Sequence, residues 1–478
     1  MQLLTLLLSA TLQAGNAPQP PNILLLLADD QRPDTVSAWG NDSISTPNID
    51  ALAQAGYSLQ EAHCMGSPHG AVCQPSRAML HTGRAYHQLN IKDLSGRPLL
   101  GEILGSAGYR TFGTGKWHNA KESFQRSFQE GSSIFFGGMC DHDAVKLIDL
   151  ADGAYDNQRT GEGHSSDLFA NAAIEFLRST DDSKPFFCSV AFTAPHDPRT
   201  PPDSFSQHYY DERPPLPANF LPQHPFDCGW MQVRDENLAG WPRTREVISD
   251  QLCEYYGLIT HMDASIGRIL AALEATGQAH NTLVIFAADH GLAMGSHGLL
   301  GKQNLYEHSM GMPLILRGPK VPAGKASDAL VYLHDVFPTI LEAGGLPLAD
   351  DLQAESLWPL IRGDQESLRE TLFTSMGRHQ RAVRDGRWKL IRYPNIDHSQ
   401  LFDLQSDPDE LVNLASQPEH AGTISRLRRA LGQWQGFVGD DVAWTAEQIS
   451  PKDIDLTGAE RKPDRWQPEW VRKKYFGD

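Results

Sequence analysis

Two apolar runs that end abruptly in acid constrain what this chain can fold into. Asn22-Ile23-Leu24-Leu25-Leu26-Leu27-Ala28 stops at Asp29-Asp30, and Leu283-Val284-Ile285-Phe286-Ala287-Ala288 stops at Asp289-His290-Gly291. Neither run alternates polar with apolar residues, so each reads as a strand covered on both faces, as in a parallel sheet with helices on either side. Phe186-Phe187-Cys188-Ser189-Val190-Ala191-Phe192 leads in the same way into Thr193-Ala194-Pro195-His196, and Tyr109-Arg110-Thr111-Phe112-Gly113 leads into Gly115-Lys116-Trp117-His118. Helical stretches such as 48–55 and 259–275 lie between them. The expectation is an α/β fold with a mainly parallel central sheet flanked by helices. Sites in such sheets lie beyond the carboxyl ends of the strands, so the ionisable residues that end these runs should meet in one cleft.

Asp29, Asp30, Asp289 and His290 are the candidates for a metal site. Carboxylates brought to one point repel one another unless a cation sits among them, and a hard divalent ion takes oxygen ligands of this kind. Calcium suits the set, with magnesium the alternative; His290 departs from it, because imidazole favours transition metals. Taken without the rest of the chain, Asp29-Asp30 also reads as turn or cap chemistry after a strand.

A third feature is the segment Cys73-Gln74-Pro75-Ser76-Arg77-Ala78-Met79-Leu80-His81-Thr82-Gly83-Arg84. Pro75 suits the first turn of a helix, so a helix is expected from Ser76 to about His81, with Cys73 just ahead of its N-terminus. Free backbone N–H groups and the helix dipole at that end favour a bound anion. Arg77, within one turn of Cys73, can steady a developing oxyanion.

Read as Cys-x-Pro-Ser-Arg, four residues, then Thr-Gly-Arg, this segment resembles the signature of the type I sulfatases, the formylglycine-dependent members of the alkaline phosphatase superfamily. The resemblance implies that a maturation enzyme oxidises Cys73 to formylglycine (3-oxoalanine), whose hydrate is the nucleophile and a metal ligand beside Asp29, Asp30, Asp289 and His290. Sulfatases carry Asn or His at the last of these places. It further implies that Lys116 positions the hydrated aldehyde and that His118, in Gly115-Lys116-Trp117-His118, acts as a base. His196, in Pro195-His196-Asp197-Pro198, contacts the sulfate and leaving-group side, and Lys302, in Gly301-Lys302, binds sulfate. In the implied reaction one hydroxyl of the diol attacks sulfur, the alcohol leaves protonated by His196 or Lys302, and His118 deprotonates the second hydroxyl so that sulfate is expelled. The likeness extends from about residue 22 to 440. It takes in Thr46-Pro47-Asn48-Ile49-Asp50 at one end and the 401–414 segment, with Asp403, Asp407-Pro408-Asp409 and Asn413, at the other.

Residues 1–17 read as a secretory signal peptide, a short apolar run followed by small residues, although it carries no Lys or Arg. It is too short to span a bilayer and no other stretch is long and apolar enough, so the product is expected to be secreted or periplasmic with no membrane partner. Acidic residues number 59 against 41 basic, a formal charge of −18. That argues against nucleic acid as a partner and requires a local positive pocket for an anionic substrate. Setting Cys73 aside, five cysteines remain (64, 140, 188, 228 and 253), so at least one stays unpaired.

A catalytic α/β domain is expected over 22–365. A smaller α+β domain, an antiparallel sheet plus helix, is expected over 366–440, with a hairpin turning at Asp385-Gly386. The tail 441–478, with Trp466, Trp470 and Tyr475, should pack back on the surface. The polar insertion at 137–165, His69 and Arg378-His379 could supply substrate contacts, or be loop and sheet-edge polarity. The expected activity is hydrolysis of a sulfate ester on a sulfated carbohydrate. A formylglycine-dependent phosphodiesterase or phosphonate monoester hydrolase, and a catalytically silent glycan-binding protein, are the competing readings.

Overall fold

The computed structural model describes residues 19–463 other than 182, together with 467 and 469–477; the expected leader at 1–17 and Trp466 lie outside the described residues. The runs ending in acid sit at the centre of an eleven-stranded sheet. Across it the order is Lys325–Ser327, Tyr57–His63, Gly311–Arg317, Thr282–Ala288, Asn22–Ala28, Phe186–Ala191, Arg110–Lys116, Glu130–Phe135, Lys146–Ala151 and Ala154–Thr160, with Val331–Tyr332 also beside Tyr57–His63. Asn22–Ala28 is parallel to both neighbours, and every residue of it is buried. Two-sided burial explains the unbroken apolar sequence, since there is no solvent face to carry polar side chains. Antiparallel pairing is confined to Gly311–Arg317 and to the outer hairpin Lys146–Ala151/Ala154–Thr160 with its join to Glu130–Phe135. That hairpin is what the polar insertion folds into.

The helix expected at 259–275 is the second half of a longer one, Arg245–Ala275, capped by the Thr244 hydroxyl, which accepts from the Val247 N–H at 3.3 Å. It packs against Ser165–Arg178, and His261 Nε2 meets the Asp167 carboxylate at 3.1 Å. Its first half was hidden in sequence by a polar, aromatic stretch without a clean helical stripe.

A second sheet has the order His398–Asp403, Trp388–Tyr393, Gln380–Arg384, Leu372–Met376 and Gly66–Ser67. Four strands are antiparallel, and Asp385 makes the expected turn, its N–H donating to the Trp388 carbonyl at 2.9 Å. The fifth strand is contributed by the N-terminal half and runs parallel to Leu372–Met376. The helix Ala421–Val438 packs on this sheet. All six cysteines are free and buried.

A buried charge network joins the two sheets. Arg384 bridges Glu61 (2.7 Å) and Glu307 (2.5 Å), His63 Nε2 lies 2.7 Å from Glu307, and Lys389 reaches Glu307 (2.7 Å) and Glu410 (2.8 Å). Arg384 and Lys389 compensate the charge of these acids. Burial, opposed by Lys389 and assisted by Glu307, pushes the Glu410 carboxyl up to about 7 from 4.5. The native state therefore holds a proton that the unfolded chain has released, and stability falls as pH rises from 4.5 through 7. Replacing Glu410 by Gln should flatten that decline, read as the urea midpoint against pH.

Candidate active site

The pairing of Ala28 with Ala288 carries Asp29 and Asp289 out of the sheet side by side. The Asp289 N–H donates to the Ala28 carbonyl at 3.1 Å, and the Asp29 N–H donates to the Ala194 carbonyl at 3.0 Å. Asp30 then turns back with φ of +70°, its N–H on Asp289 Oδ1 (3.0 Å) and its carbonyl accepting from the Tyr255 hydroxyl (2.6 Å). Such a conformation costs a non-glycine residue of order 1–3 kcal/mol and persists only where neighbours enforce it. Here Tyr255, which also accepts from the Arg32 N–H at 2.9 Å, supplies that enforcement. His118 has the same strained handedness, with φ of +69°.

The helix carrying Cys73 spans Cys73–Thr82, so the cysteine is its first residue and not a preceding one. Pro75 falls within the first turn, where backbone N–H groups lack helical partners anyway, and so it does not delay the start. Two residues dock this helix against the carboxyl ends of the strands. Ser76 Oγ donates to the Asp289 carbonyl at 2.6 Å, and Arg77 Nε donates to Asp289 Oδ2 at 3.1 Å while its NH1 reaches the Lys116 carbonyl at 2.6 Å. Cys73 Sγ thereby comes within 3.2 Å of both His290 Nε2 and Lys302 Nζ and 3.5 Å of Asp30 Oδ1.

Around that sulfur, three carboxylates and three cations are buried together. Lys116 Nζ donates to Asp29 Oδ2 at 2.5 Å, Lys302 Nζ to both oxygens of Asp30 (2.7 and 2.8 Å), and Arg77 lies between Asp29 and Asp289. Burial opposes the charge on each group, and the partners decide the outcome. Burial pushes Asp29 upward, but Lys116 above all brings it below the ordinary carboxylate range. Burial raises Asp30 even against Lys302, whereas Asp30 holds the Lys302 ammonium well above its ordinary value against burial. The Cys73 thiol is raised well above its normal value, first by burial and then by Asp29. Burial, then the Lys116 charge, lowers His118; burial, then Lys302, lowers His196, so both imidazoles are neutral. His196 Nδ1 is 2.7 Å from the Asp197 carbonyl, which turns Nε2 toward Asp30 at 3.7 Å.

A cavity of about 320 Å³ opens over Cys73, with His118, His196 and Lys302 in its wall. All ten residues singled out from the sequence thus converge: Asp29, Asp30, Cys73, Arg77, Lys116, His118, His196, Asp289, His290 and Lys302. The sequence reading missed Arg234, Asp235 and Gln303, which share the wall. Arg234 chelates the Asp197 carboxylate (2.6 and 3.0 Å), and Gln303 Nε2 donates to Asp235 Oδ2 at 2.8 Å. These pairs span long chain separations and leave no local pattern. Gly138 and Met139, from the insertion, also line it, and a Cβ on Gly138 would sit 2.8 Å from His118 Nε2. His69, Arg378 and His379 are not among the lining residues: Arg378 pairs with Asp441 at 2.8 Å, and His379 meets the edge of Trp230 at 5.5 Å.

The sequence model of the Sulfatase family matches residues 21–346, well over half of the chain. The chain belongs to the sulfatase family. A second match, to the N-sulphoglucosamine sulphohydrolase C-terminal region, covers residues 295–436. An arylsulfatase of Clostridium perfringens is 28% identical over 463 residues, covering 86% of this chain and 93% of its own. An N-acetylglucosamine-6-O-sulfatase of Bacteroides thetaiotaomicron is 26% identical over 491 residues, covering 87% and 86%. Among solved structures, one determined in complex with its substrate D-glucosamine-2-N,6-O-disulfate superposes with a TM-score of 0.76 at 24% identity over 90% of this chain and all of that one. A phosphonate monoester hydrolase of Agrobacterium radiobacter superposes at 0.67 with 23% identity, covering 87% and 96%, so the two activities share this fold. This sulfatase is a sulfuric ester hydrolase.

Arg77 is the cation shared by two of the buried acids. Its replacement by Ala leaves Asp29 and Asp289 facing each other with one partner fewer, and removing one member of a buried pair typically costs about 3–5 kcal/mol. In chelator-treated protein the urea midpoint of Arg77→Ala should fall accordingly.

Proposed function

We propose that this sulfatase is exported and removes a sulfate ester from a sulfated carbohydrate, with a formylglycine hydrate made from Cys73 as nucleophile and a divalent metal, calcium before magnesium, among the aspartates. The observation that carries the reading is Cys73 itself, 1% exposed, at a helix start and within 3.2 Å of Lys302 and His290. A thiol held protonated by burial is a poor nucleophile, so the position makes chemical sense only once the sulfur has been replaced. The hydrated aldehyde would supply an oxygen to attack sulfur and could then eliminate sulfate, which a serine could not.

The donor set fits a hard cation. Asp30, Cys73, Asp289 and His290 offer ligand atoms within 4.8 Å of one another, and the buried Asp29 Oδ1 has no hydrogen-bond partner. When bound, the ion would act as a Lewis acid on the sulfuryl oxygens. The protein's own charges divide the remaining work. Lys116 and Arg77 hold the nucleophile's side of the pocket, and Lys302 neutralises the transferring group. His118, neutral, is ready to accept a proton from the second hydroxyl. His196, its Nδ1 committed to the Asp197 carbonyl, presents Nε2 to the ester; the proton for the departing oxygen would come from His196 or from Lys302, whose ammonium lies beside residue 73.

A carbohydrate substrate is supported by the relatives, among them the N-acetylglucosamine-6-O-sulfatase and an ulvan-active sulfatase of Formosa agariphila. No helix among the described residues is long and apolar enough to cross a membrane.

Protein co-produced with a maturation enzyme should release inorganic sulfate from at least one sulfated glycan in a panel of heparin, ulvan and carrageenan oligosaccharides. Cys73→Ala should lower that release by about 10³-fold or more while the fold remains. Phosphate release from phosphodiesters alone, by protein whose Cys73 is shown by mass to be converted, would overturn the substrate assignment. Calcium at about 100 times its Kd should stabilise the wild type by about 2.7 kcal/mol and leave Asp289→Asn unmoved, read as the shift in Tm.

A further inference from the structure

A second hollow, of about 640 Å³, adjoins the catalytic cavity. Gly138 and Met139 line both, so the two meet at that turn. Ile134, Phe135 and Phe136 give the hollow an apolar side, and Ala144 with Lys146, Leu147 and Ile148 of the outer hairpin give the other. The chain's C-terminal tail closes it with Gln467, which is 5% exposed. Gln467 Nε2 donates to Asp197 Oδ2 at 3.0 Å, whereas its buried Oε1 has no hydrogen-bond partner. Leaving a buried acceptor unpaired is unfavourable, and a hydroxyl or amide donor entering the hollow would remove that penalty.

The charge of the hollow points the same way. Lys121 Nζ lies 5.4 Å from the ring centres of Phe136 and Tyr155, and Lys146 Nζ donates to Thr160 Oγ1 at 2.6 Å. Neither is engaged by a carboxylate among the described residues. Among the described lining residues Asp141 is the one acid, and it accepts from the Asp143 N–H at 3.0 Å. On a chain of charge −18 this is a locally cationic recess. Its volume falls within the range of small-molecule sites, which are concave and mostly apolar with a few fixed polar groups. Apolar and aromatic walls with isolated amide and ammonium groups suit the CH faces and the hydroxyls of a pyranose ring.

We propose that this hollow is a second saccharide subsite. It receives the ring adjacent to the one that bears the scissile sulfate, with a preference for an anionic substituent, sulfate or carboxylate, on that neighbouring ring. The inference rests on the reading of the chain as a glycan sulfatase. The catalytic cavity then holds the sulfated ring, the saccharide crosses Gly138-Met139, and the tail residue Gln467 completes the far wall. Recognition of two rings follows from two hollows that share one turn.

Sulfated mono- and disaccharides prepared from heparin, ulvan and carrageenan test it, using whichever class the wild type desulfates. The exposed residue Ala144 lines the hollow, so Ala144→Trp fills the space without disturbing the core. It should lower kcat/KM for the disaccharide by about tenfold or more and change the monosaccharide by less than about twofold. A second variant, Lys121→Ala with Lys146→Ala, should lower kcat/KM for disaccharides with an anionic neighbouring ring by about fivefold and spare those with a neutral one. Unchanged disaccharide kinetics in Ala144→Trp, or an equal loss on monosaccharide and disaccharide, would overturn the subsite and leave the glycan reading in place. Equal losses on anionic and neutral disaccharides in the lysine variant would overturn the anionic preference. Failure of the wild type, with Cys73 converted, on every saccharide would overturn the glycan reading itself.

Discussion

Burial of three carboxylates at one point is the constraint on which the rest of this structure depends. Removing a charge from water costs several kcal/mol per ion unless partners of good geometry replace the solvent. Asp29, Asp30 and Asp289 are each 1% exposed or less, and their cations come from three separate elements: Arg77 from a helix, Lys116 from the end of a strand, and Lys302 from a loop. None can be moved independently. The parallel pairing of Asn22–Ala28 with Thr282–Ala288 sets two of the acids side by side. The pairing of Arg110–Lys116 with Phe186–Ala191 then brings Lys116 to them. That strand keeps its approach through Gly115, whose φ is +86° and where a Cβ would lie 1.9 Å from the Ala191 carbonyl oxygen. Sheet register and site chemistry are therefore one arrangement.

Much of this was legible because it is written locally. An unbroken apolar run needs two covered faces, and a run that ends in acid beyond a strand marks where a charged cleft could lie; Asp29, Asp30 and Asp289 become metal candidates only together with the Cys73 segment, since on their own they also read as turn or cap residues. Cys73, Lys116 and Lys302 were found through a resemblance, since a lone lysine carries no physical signal in sequence. What could not be read is set by long-range pairing. Arg234 with Asp197, Gln303 with Asp235 and Gln467 with Asp197 join residues brought together only by the folded chain. Similarly, Gly66–Ser67 is too short to announce itself as a strand, and it exists because Leu372–Met376 offers it an edge.

The division between scaffold and wall also explains how one arrangement can serve different esters. The charged cluster is drawn from strand ends, the Cys73–Thr82 helix and the loop carrying Lys302, and its members hold one another through buried ion pairs. The surfaces facing the rest of the ligand come instead from residues 70–71, 138–139, 233–235 and 303, which lie on connections that tolerate change. Arg234 does not add a free cation to that surface, because its guanidinium is committed to Asp197. The attraction for an anion in this acidic protein is thus concentrated on the groups around residue 73 and not spread over the cavity.

The strand Gly66–Ser67 ends six positions before Cys73, and its partner in the second sheet is about 300 residues further along the chain. At a synthesis rate of roughly 5–20 residues per second, that partner emerges some 15–60 s later. Until then the segment ahead of residue 73 has no edge to join; in the finished fold Cys73 is 1% exposed and lines the cavity. If Cys73 is converted to formylglycine as proposed, that conversion races against elongation, and the clock is the distance along the chain between two short strands.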